Sequence, residues 1–535
     1  MNVRRIFVIS ALVAVALVVA WSFFWTGALY LFLLVVPLIW MGIQDMTQTR
    51  QSVKRNFPVI GRLRYFFEMI RPEIQQYFVE SDTDGTPINR NDRSVIYQRA
   101  KKQIDTTPFG TQLNVYAEGY EWMTHSIQPE NFHNLDHSPR VVFGGSECRQ
   151  PYRASLLNIS AMSFGSLSAN AIESLNLGAK IGGFAHNTGE GGLSPYHLKN
   201  GGDIIWQIGT GYFGARNEEG NFSPEAFRKN ALLPNVKMIE IKLSQGAKPG
   251  HGGILPAAKN TPEVAAIRLV KPGTTVFSPP FHSAFNSPLG LIQFVKTLRD
   301  LSDGKPVGFK LCIGRKNEFI AICKAMVQLN IYPDFITVDG GEGGTGAAPP
   351  EFSNSVGMPL LDALAFVHDS LRGFGIRNKM RIIASGKVLT GFHIVRALAL
   401  GADTCNSARA MMMALGCIQA LRCNSNDCPT GVATQNPALS QGLVIEDKKN
   451  RVANYHKNTV ESFVELMGAA GINNPGKINR SHVYRRVFMN LVKTYAEIYP
   501  PVPEGALLPG ADAPFDYEEY LRISKAESFD EVVPA

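Results

Sequence analysis

From residue 150 onward one rhythm dominates the sequence: short apolar runs, most ending in Gly, Ser or Asn, alternate with segments of helical periodicity. The runs fall at 156–161, 181–185, 237–243, 275–277, 307–311, 335–338, 381–384 and 403–405. Helical patterns occupy 169–179, 262–270, 289–301, 317–329, 360–372 and 392–400. Eight strands with crossover helices predict an α/β chain of the (β/α)8 TIM-barrel class. An open doubly wound sheet is the alternative, but it needs a Gly-rich turn after its first strand. Met162-Ser163-Phe164-Gly165 does not fit that fingerprint.

In a barrel the chemistry sits at the C-terminal strand ends. The residues found there are Met162-Ser163, then 187–192 (NTGEGG), then Lys242 leading into 245–250 (QGAKPG). Lys310 follows on its own strand, then 340–346 (GGEGGTG), Ser385-Gly386-Lys387 and Asn406-Ser407-Ala408-Arg409. One glycine cluster would be ordinary turn chemistry, but clusters at six strand ends point to a site. The last two are where barrels usually hold a phosphate on backbone amides.

The remaining segments frame that barrel. Hydrophobic content of 45%, charged content of 18% and 49 glycines in 535 residues fit a globular α/β enzyme. The net charge of +8 comes without a basic block or stacking-aromatic array, which argues against a nucleic-acid partner. Residues 6–24 and 28–43 are two apolar runs around an uncharged turn at Trp25-Thr26-Gly27. Arg4 and Arg5 precede them, and Arg50, Lys54 and Arg55 follow. The positive-inside rule then predicts a transmembrane hairpin in the inner membrane, with both ends and the barrel on the cytoplasmic side. A signal peptide is the rival reading, and the second apolar run argues against it. Residues 63–70 read as a short amphipathic helix ended by Pro72, set either on the membrane surface or against the main domain. The expected organisation is a hairpin at 1–45, a linker and flanking helical region at 46–145, the barrel at 146–440 and a helical extension at 441–535, with helices near 452–467 and 483–498.

Seven cysteines are too few and too clustered for a secreted disulfide scaffold. Cys417, Cys423 and Cys428 lie within twelve residues, and Pro429 follows the last. Three buried structural thiols, a disulfide or zinc are alternatives, although zinc usually takes four ligands and no histidine lies close by. Thiolates followed by proline suit an iron–sulfur cluster, and three ligands suit a three-iron one.

The stretch from about Leu156 to Pro437 resembles the FMN-binding synthase domain of glutamate synthase. AMSFGSLS (161–168), NTGEGG (187–192), IKLSQGAKPG (241–250), GGTGAAP (343–349) and GCIQALRCNSNDCPTGVATQNP (416–437) carry the resemblance over about half the chain. It implies FMN across the barrel mouth, with its phosphate at Gly386 and Ser407-Ala408-Arg409. Met162, Ser163 and Gln207 would line the isoalloxazine, Gly344 and Ser385 would add cofactor contacts, and Lys310 would stand at the N1/O2 edge. Glu190 and Lys248 correspond to catalytic positions, Lys242 and Arg268 to substrate-binding ones, with Arg268 on the 2-oxoglutarate carboxylate. Cys417, Cys423 and Cys428 would hold a [3Fe-4S] cluster. His251 and Ile254 depart from the pattern of the large synthases, which have Glu and Gln there. A related 2-oxo acid is therefore an alternative substrate.

The resemblance implies reductive amination of an oxo acid with external ammonia or a separate glutaminase subunit, and electrons from ferredoxin or another redox protein. N-methylglutamate synthase-type transfer and a membrane-bound redox protein without synthase activity are the alternatives.

Overall fold

The computed structural model describes residues 2–531 and forms two compact units, divided between Arg90 and Asn91. In the second unit eight parallel strands close into a barrel in chain order. They are β1 (Leu157–Ile159), β2 (His186–Asn187), β3 (Ile204–Ile208), β4 (Val236–Lys242), β5 (Val307–Leu311), β6 (Phe335–Asp339), β7 (Arg381–Ser385) and β8 (Thr404–Ser407). Closure runs through Cys405 paired with Leu157, and Val307 beside Ile239 joins the two halves.

Two expected strands need correction. The run at 275–277 is not in the barrel. Val276–Phe277 pairs antiparallel with Ile254–Leu255 on an excursion after β4, and Phe277 is 68% exposed. The third barrel strand is Ile204–Ile208, all five residues of which are buried. A barrel strand is covered inside and out, so burial on both faces separates the two where β-propensity does not. The run at 181–185 also shifts. Helix Ala169–Gly182 continues into it and ends where Gly183 turns left-handed at φ 65°, so β2 starts at His186.

The N-terminal end of the barrel is plugged. A hairpin of Arg140–Phe143 and Tyr152–Ser155 places Phe143 and Ala154 against Ala185, Ile205, Met238, Phe335 and Ile383. Phe143 meets Phe335 edge-on, with ring centroids 5.8 Å apart. Chemistry is thereby confined to the opposite, C-terminal end. Ile383→Val removes one methylene from this plug and should lower unfolding free energy by about 1 kcal/mol, read as a shift of the urea midpoint without a change of slope.

Helix Ile445–Ala469 packs along Ala169–Gly182, where a Cβ on Gly178 would lie 2.6 Å from Val452 Cβ. The expected helix at 483–498 is mostly a hairpin instead, Val483–Phe488 with Leu491–Thr494, and Glu121–Met123 adds a third strand. Only Tyr495–Ile498 is helical. Non-local partners decide this: Trp122 stacks on Tyr484 at 5.6 Å, and the Glu121 carboxylate meets Arg485 at 2.6 Å and Arg396 at 2.7 Å.

In the first unit, Val3–Ser22 and Thr26–Thr47 are each long and apolar enough to cross a membrane, a test that a signal sequence or a core helix also passes. Their apolar side chains are mostly exposed, unlike those of a core helix. Pro37 sits inside the second helix without ending it. Pro72 likewise does not stop its helix, which runs Gly61–Ile74 and passes into a wider turn at Gln75–Val79. A proline one turn from a helix end removes a single hydrogen bond, which a widened turn absorbs.

Candidate active site

The inward stripe of β4 carries Met238, Glu240 and Lys242 in alternation, apolar at the plug and charged towards the mouth. Glu240 is fully buried at mid-height. Its carboxylate accepts from Asn187 Nδ2 of β2 at 2.8 Å, Gln207 Nε2 of β3 at 2.6 Å and Thr337 Oγ1 of β6 at 2.6 Å. Four strands thus share one carboxylate across the barrel interior.

Above it stands a group of four charged side chains. Lys242 Nζ lies 2.9 Å from the Glu190 carboxylate and 2.7 Å from Gln245 Oε1. Lys248 Nζ donates to the Ala347 carbonyl at 2.7 Å, which ties the loop after β4 to the loop after β6. Glu190, Lys242 and Lys248 line one pocket with Thr210, Gln245 and Pro280. Arg268 stands beside that lining; its Nη2 donates to the Phe164 carbonyl at 3.1 Å, and its buried Nε has no partner.

The electrostatics follow from this crowding. Burial alone would raise the Glu190 carboxyl, but Lys242, Arg268 and Lys248 hold it below its ordinary value. Burial brings the Lys248 ammonium down to about 8, partly opposed by Glu190, and brings Arg268 to about 10. His282 backs the group, with Nε2 2.9 Å from the Lys242 carbonyl and Nδ1 3.1 Å from the Tyr212 hydroxyl. Burial holds it at about 4, so it is neutral near pH 7. Three cations around one carboxylate leave the pocket with excess positive charge.

A second group lies across the mouth. Lys310 pairs with Asp339 at 3.3 Å, and Asp339 also accepts from the Gly246 amide at 2.8 Å. Burial disfavours the Lys310 ammonium, but Asp339 and Glu240 more than restore it, so its pKa is raised. Ser385 Oγ lies 3.3 Å from Ser160 Oγ, and Gly386 follows at φ +144°. Ser407 Oγ donates to the Val388 carbonyl at 2.6 Å. Arg409, next to Ala408, donates to the Glu342 carbonyl at 2.7 Å, and Gly344 packs against its side chain. Burial lowers the Lys387 ammonium, and the nearby Arg409 lowers it further.

Of the other expected residues, Met162 and Ser163 sit on the turn after β1, where the Met162 amide donates to the Asn187 carbonyl at 3.1 Å. Ser163 Oγ bonds Ser166 Oγ at 3.1 Å. Gln207 is at the end of β3, but its amide donates to Glu240. Cys417, Cys423 and Cys428 share the irregular loop that follows helix Arg409–Leu415. Among the described residues no three His, Cys, Asp or Glu side chains stand where they would hold a single metal ion. Burial raises the Cys417 thiol to about 11, and the other two sulfurs contribute to the rise. Cys428 is below its ordinary value: burial opposes this, but the Thr430 hydroxyl and neighbouring backbone groups outweigh it. Lys259 lies near Cys423 and Cys428 and donates to the Ser166 carbonyl at 2.8 Å.

Glu240, Asp339, Lys259 and His282 were not singled out from the sequence. For Glu240 a signal existed, since it lies two residues before Lys242 on a strand and therefore points the same way. Lys259 and His282 lie on excursions between strands, where no periodicity marks them.

A family model described as the conserved region in glutamate synthase matches residues 100–473. The glutamate synthase large subunit-like protein of Bacillus subtilis is 39% identical over 495 residues, covering 85% of this chain and 94% of its own length. An archaeal glutamate synthase (NADPH) of Methanocaldococcus jannaschii is 40% identical over 316 residues, 59% of each chain. Among solved structures, mandelate oxidase aligns over 81% of this chain and 98% of its own at 14% identity, with a TM-score of 0.42, too distant to inform the site. The chain therefore belongs to the glutamate synthase family.

Proposed function

We propose that the chain is an FMN- and [3Fe-4S]-dependent oxidoreductase of the glutamate synthase type. It reductively aminates 2-oxoglutarate, or a closely related 2-oxo acid, with ammonia and with electrons from a redox partner such as ferredoxin. The observation that carries the reading is the convergence of Lys242, Lys248 and Arg268 on Glu190 at the open end of the barrel. Its excess positive charge matches a substrate with two carboxylates.

The residues fit both cofactors. Lys387 lies close enough to Arg409 to be lowered by it, so two cations stand together at the ends of β7 and β8 where a phosphate would be held. Buried Asn406 Oδ1 at the end of β8 is an acceptor without a protein partner, suited to a ring N–H of the cofactor rather than to its phosphate. Lys310 supplies positive charge for the flavin edge. The three thiols of one loop suit a cluster that assigns each a separate iron, an arrangement distinct from a single-ion site. The chemistry FMN supplies when bound is hydride transfer, and that of the cluster is one-electron delivery.

The chain's own residues do the rest. Arg268 grips a carboxylate, and Lys242, held by Glu190 and Gln245, orients the second. Lys248 donates a proton to the oxygen that leaves as water when the imine forms. Glu190, kept ionised, accepts the proton shed by the incoming nitrogen. The two apolar N-terminal helices support a hairpin in the inner membrane, with the barrel on the cytoplasmic side.

The test is reoxidation of the dithionite-reduced holoprotein, screened over 2-oxo acids with and without ammonia. Oxidation that needs both a dicarboxylic oxo acid and ammonia is expected. A need for methylamine in place of ammonia would assign the related N-methyl transfer, and indifference to every oxo acid would overturn the synthase reading. Cys423→Ser should lose most of its iron by metal analysis while keeping the flavin absorbance, because the FMN contacts come from other strand ends. Stoichiometric zinc without iron in the parent protein would sink the cluster.

A further inference from the structure

Within the first unit, the segment after the two apolar helices carries a feature that catalysis does not use. In Gly61–Ile74 and its continuation Gln75–Val79, the side chains Leu63, Phe66, Phe67, Ile70, Ile74 and Phe78 recur at helical spacing and form one stripe. All but the half-buried Ile70 are exposed, Phe78 by 84%. Arg64, Glu68, Arg71 and Gln75 form the adjoining stripe, about a quarter-turn round the helix, and between 52 and 74 five cations face two carboxylates. So much apolar surface on one helix marks a docking face.

The position of this helix is set by a lock. Asp45, in the last turn of Phe32–Thr47 and 1% exposed, receives Arg62 Nε at 2.9 Å and the Val59 amide at 3.0 Å; Arg62 Nη2 also reaches Gln44 Oε1 at 2.9 Å. Gly61 permits the tight return, because a Cβ there would sit 2.9 Å from the Val53 carbonyl oxygen. The amphipathic helix is therefore pinned to the end of the second span, at the level where headgroups begin. An apolar stripe flanked by arginines at that level meets acyl chains on one side and lipid phosphates on the other.

We propose that Gly61–Val79 is an interfacial anchor for an anionic bilayer, with the Leu63–Phe67–Ile74–Phe78 stripe among the acyl chains and Arg64 and Arg71 on lipid phosphates. The inference rests on the hairpin reading of the two spans, and the experiment separates the two. The full chain is placed in phosphatidylcholine–phosphatidylglycerol vesicles with brominated acyl chains. Phe67→Trp and Gln75→Trp each add a reporter, read as the difference from the parent, in which Trp21, Trp25 and Trp40 are the parent tryptophans that report the spans, while Trp122 and Trp206 of the second unit serve as background. The Phe67→Trp reporter should lose most of its added emission to bromine, and the Gln75→Trp reporter should lose its emission to aqueous acrylamide instead. Quenching at Phe67→Trp should weaken in phosphatidylcholine alone; equal quenching in both lipids would overturn the role of Arg64 and Arg71.

A Phe67→Trp reporter reached by acrylamide and not by bromine, beside bromine-quenched parent tryptophans, would overturn the anchor and leave the hairpin standing. Shielding from both quenchers would mean that protein, such as a second copy of this chain, covers the face, and would overturn it equally. Parent tryptophans untouched by bromine would remove the hairpin and the anchor together.

Discussion

Replacing Lys248 by methionine is expected to lower kcat for oxo-acid amination by about 100- to 10,000-fold, the range typical of a positioned proton donor. Methionine keeps most of the packing volume and removes the ammonium, so the barrel should stay folded and flavin-loaded. The pH profile distinguishes a proton donor from a binding charge. Lys248 is brought to about 8 by burial, with Glu190 opposing the drop and Lys242 adding to it. The donating form is the protonated one. Turnover in the parent should therefore be flat below about 8 and fall as pH rises through it, and that limb should vanish in the residual activity of Lys248→Met. A variant with a raised KM, an unchanged kcat and the same alkaline limb would mean that Lys248 only binds substrate.

Glu240→Ala should be the most destabilising single change in the barrel interior, by about 3–5 kcal/mol, the range for stranding one side of a buried charge network. The donors on Asn187, Gln207 and Thr337 would lose their common acceptor, and Lys310 would keep Asp339 and the weaker pull of Glu190 as counter-charges. Each stranded buried donor carries its own desolvation cost. Glu240→Gln preserves shape but turns an amide N–H₂ towards donors, so an intermediate loss is expected. Urea unfolding followed by circular dichroism measures both. A midpoint within experimental error of the parent for Glu240→Ala would show that water or rearranged side chains replace the carboxylate without loss.

The same network shows where sequence reading stops. Lys242, Lys248 and Glu190 were legible because they sit in short glycine-rich motifs at strand ends, where a charged residue has few structural reasons to be; Arg268, at the end of helix Pro262–Arg268, was named by the family resemblance alone. Glu240 lies inside an apolar strand only two residues from Lys242, and nothing local says that three other strands send donors to it. The third barrel strand was missed for a related reason. Ile204–Ile208 is short and contains Gln207, whereas the β-branched run around Val276 looks more strand-like on its own. Burial on both faces chooses between them, and burial is a property of the closed barrel. At 483–498 the chain has enough alternation for either periodicity, and pairing with Glu121–Met123, more than 350 residues earlier, selects the hairpin.

What the sequence by itself determined is whatever short-range chemistry encodes: the barrel rhythm, most crossover helices, the two apolar spans, the three-cysteine loop and the strand-end motifs with their charges. Tertiary structure alone decided which apolar run entered the barrel, where β2 begins, and that the plug closes one end. It alone brought Glu240, Asp339 and His282 beneath and beside the lysines. The physical reason is range. Periodicity, caps and glycine turns act over a few residues. A buried charge finds its partners, and a strand its two covered faces, only when segments far apart in the chain are brought within a few ångströms.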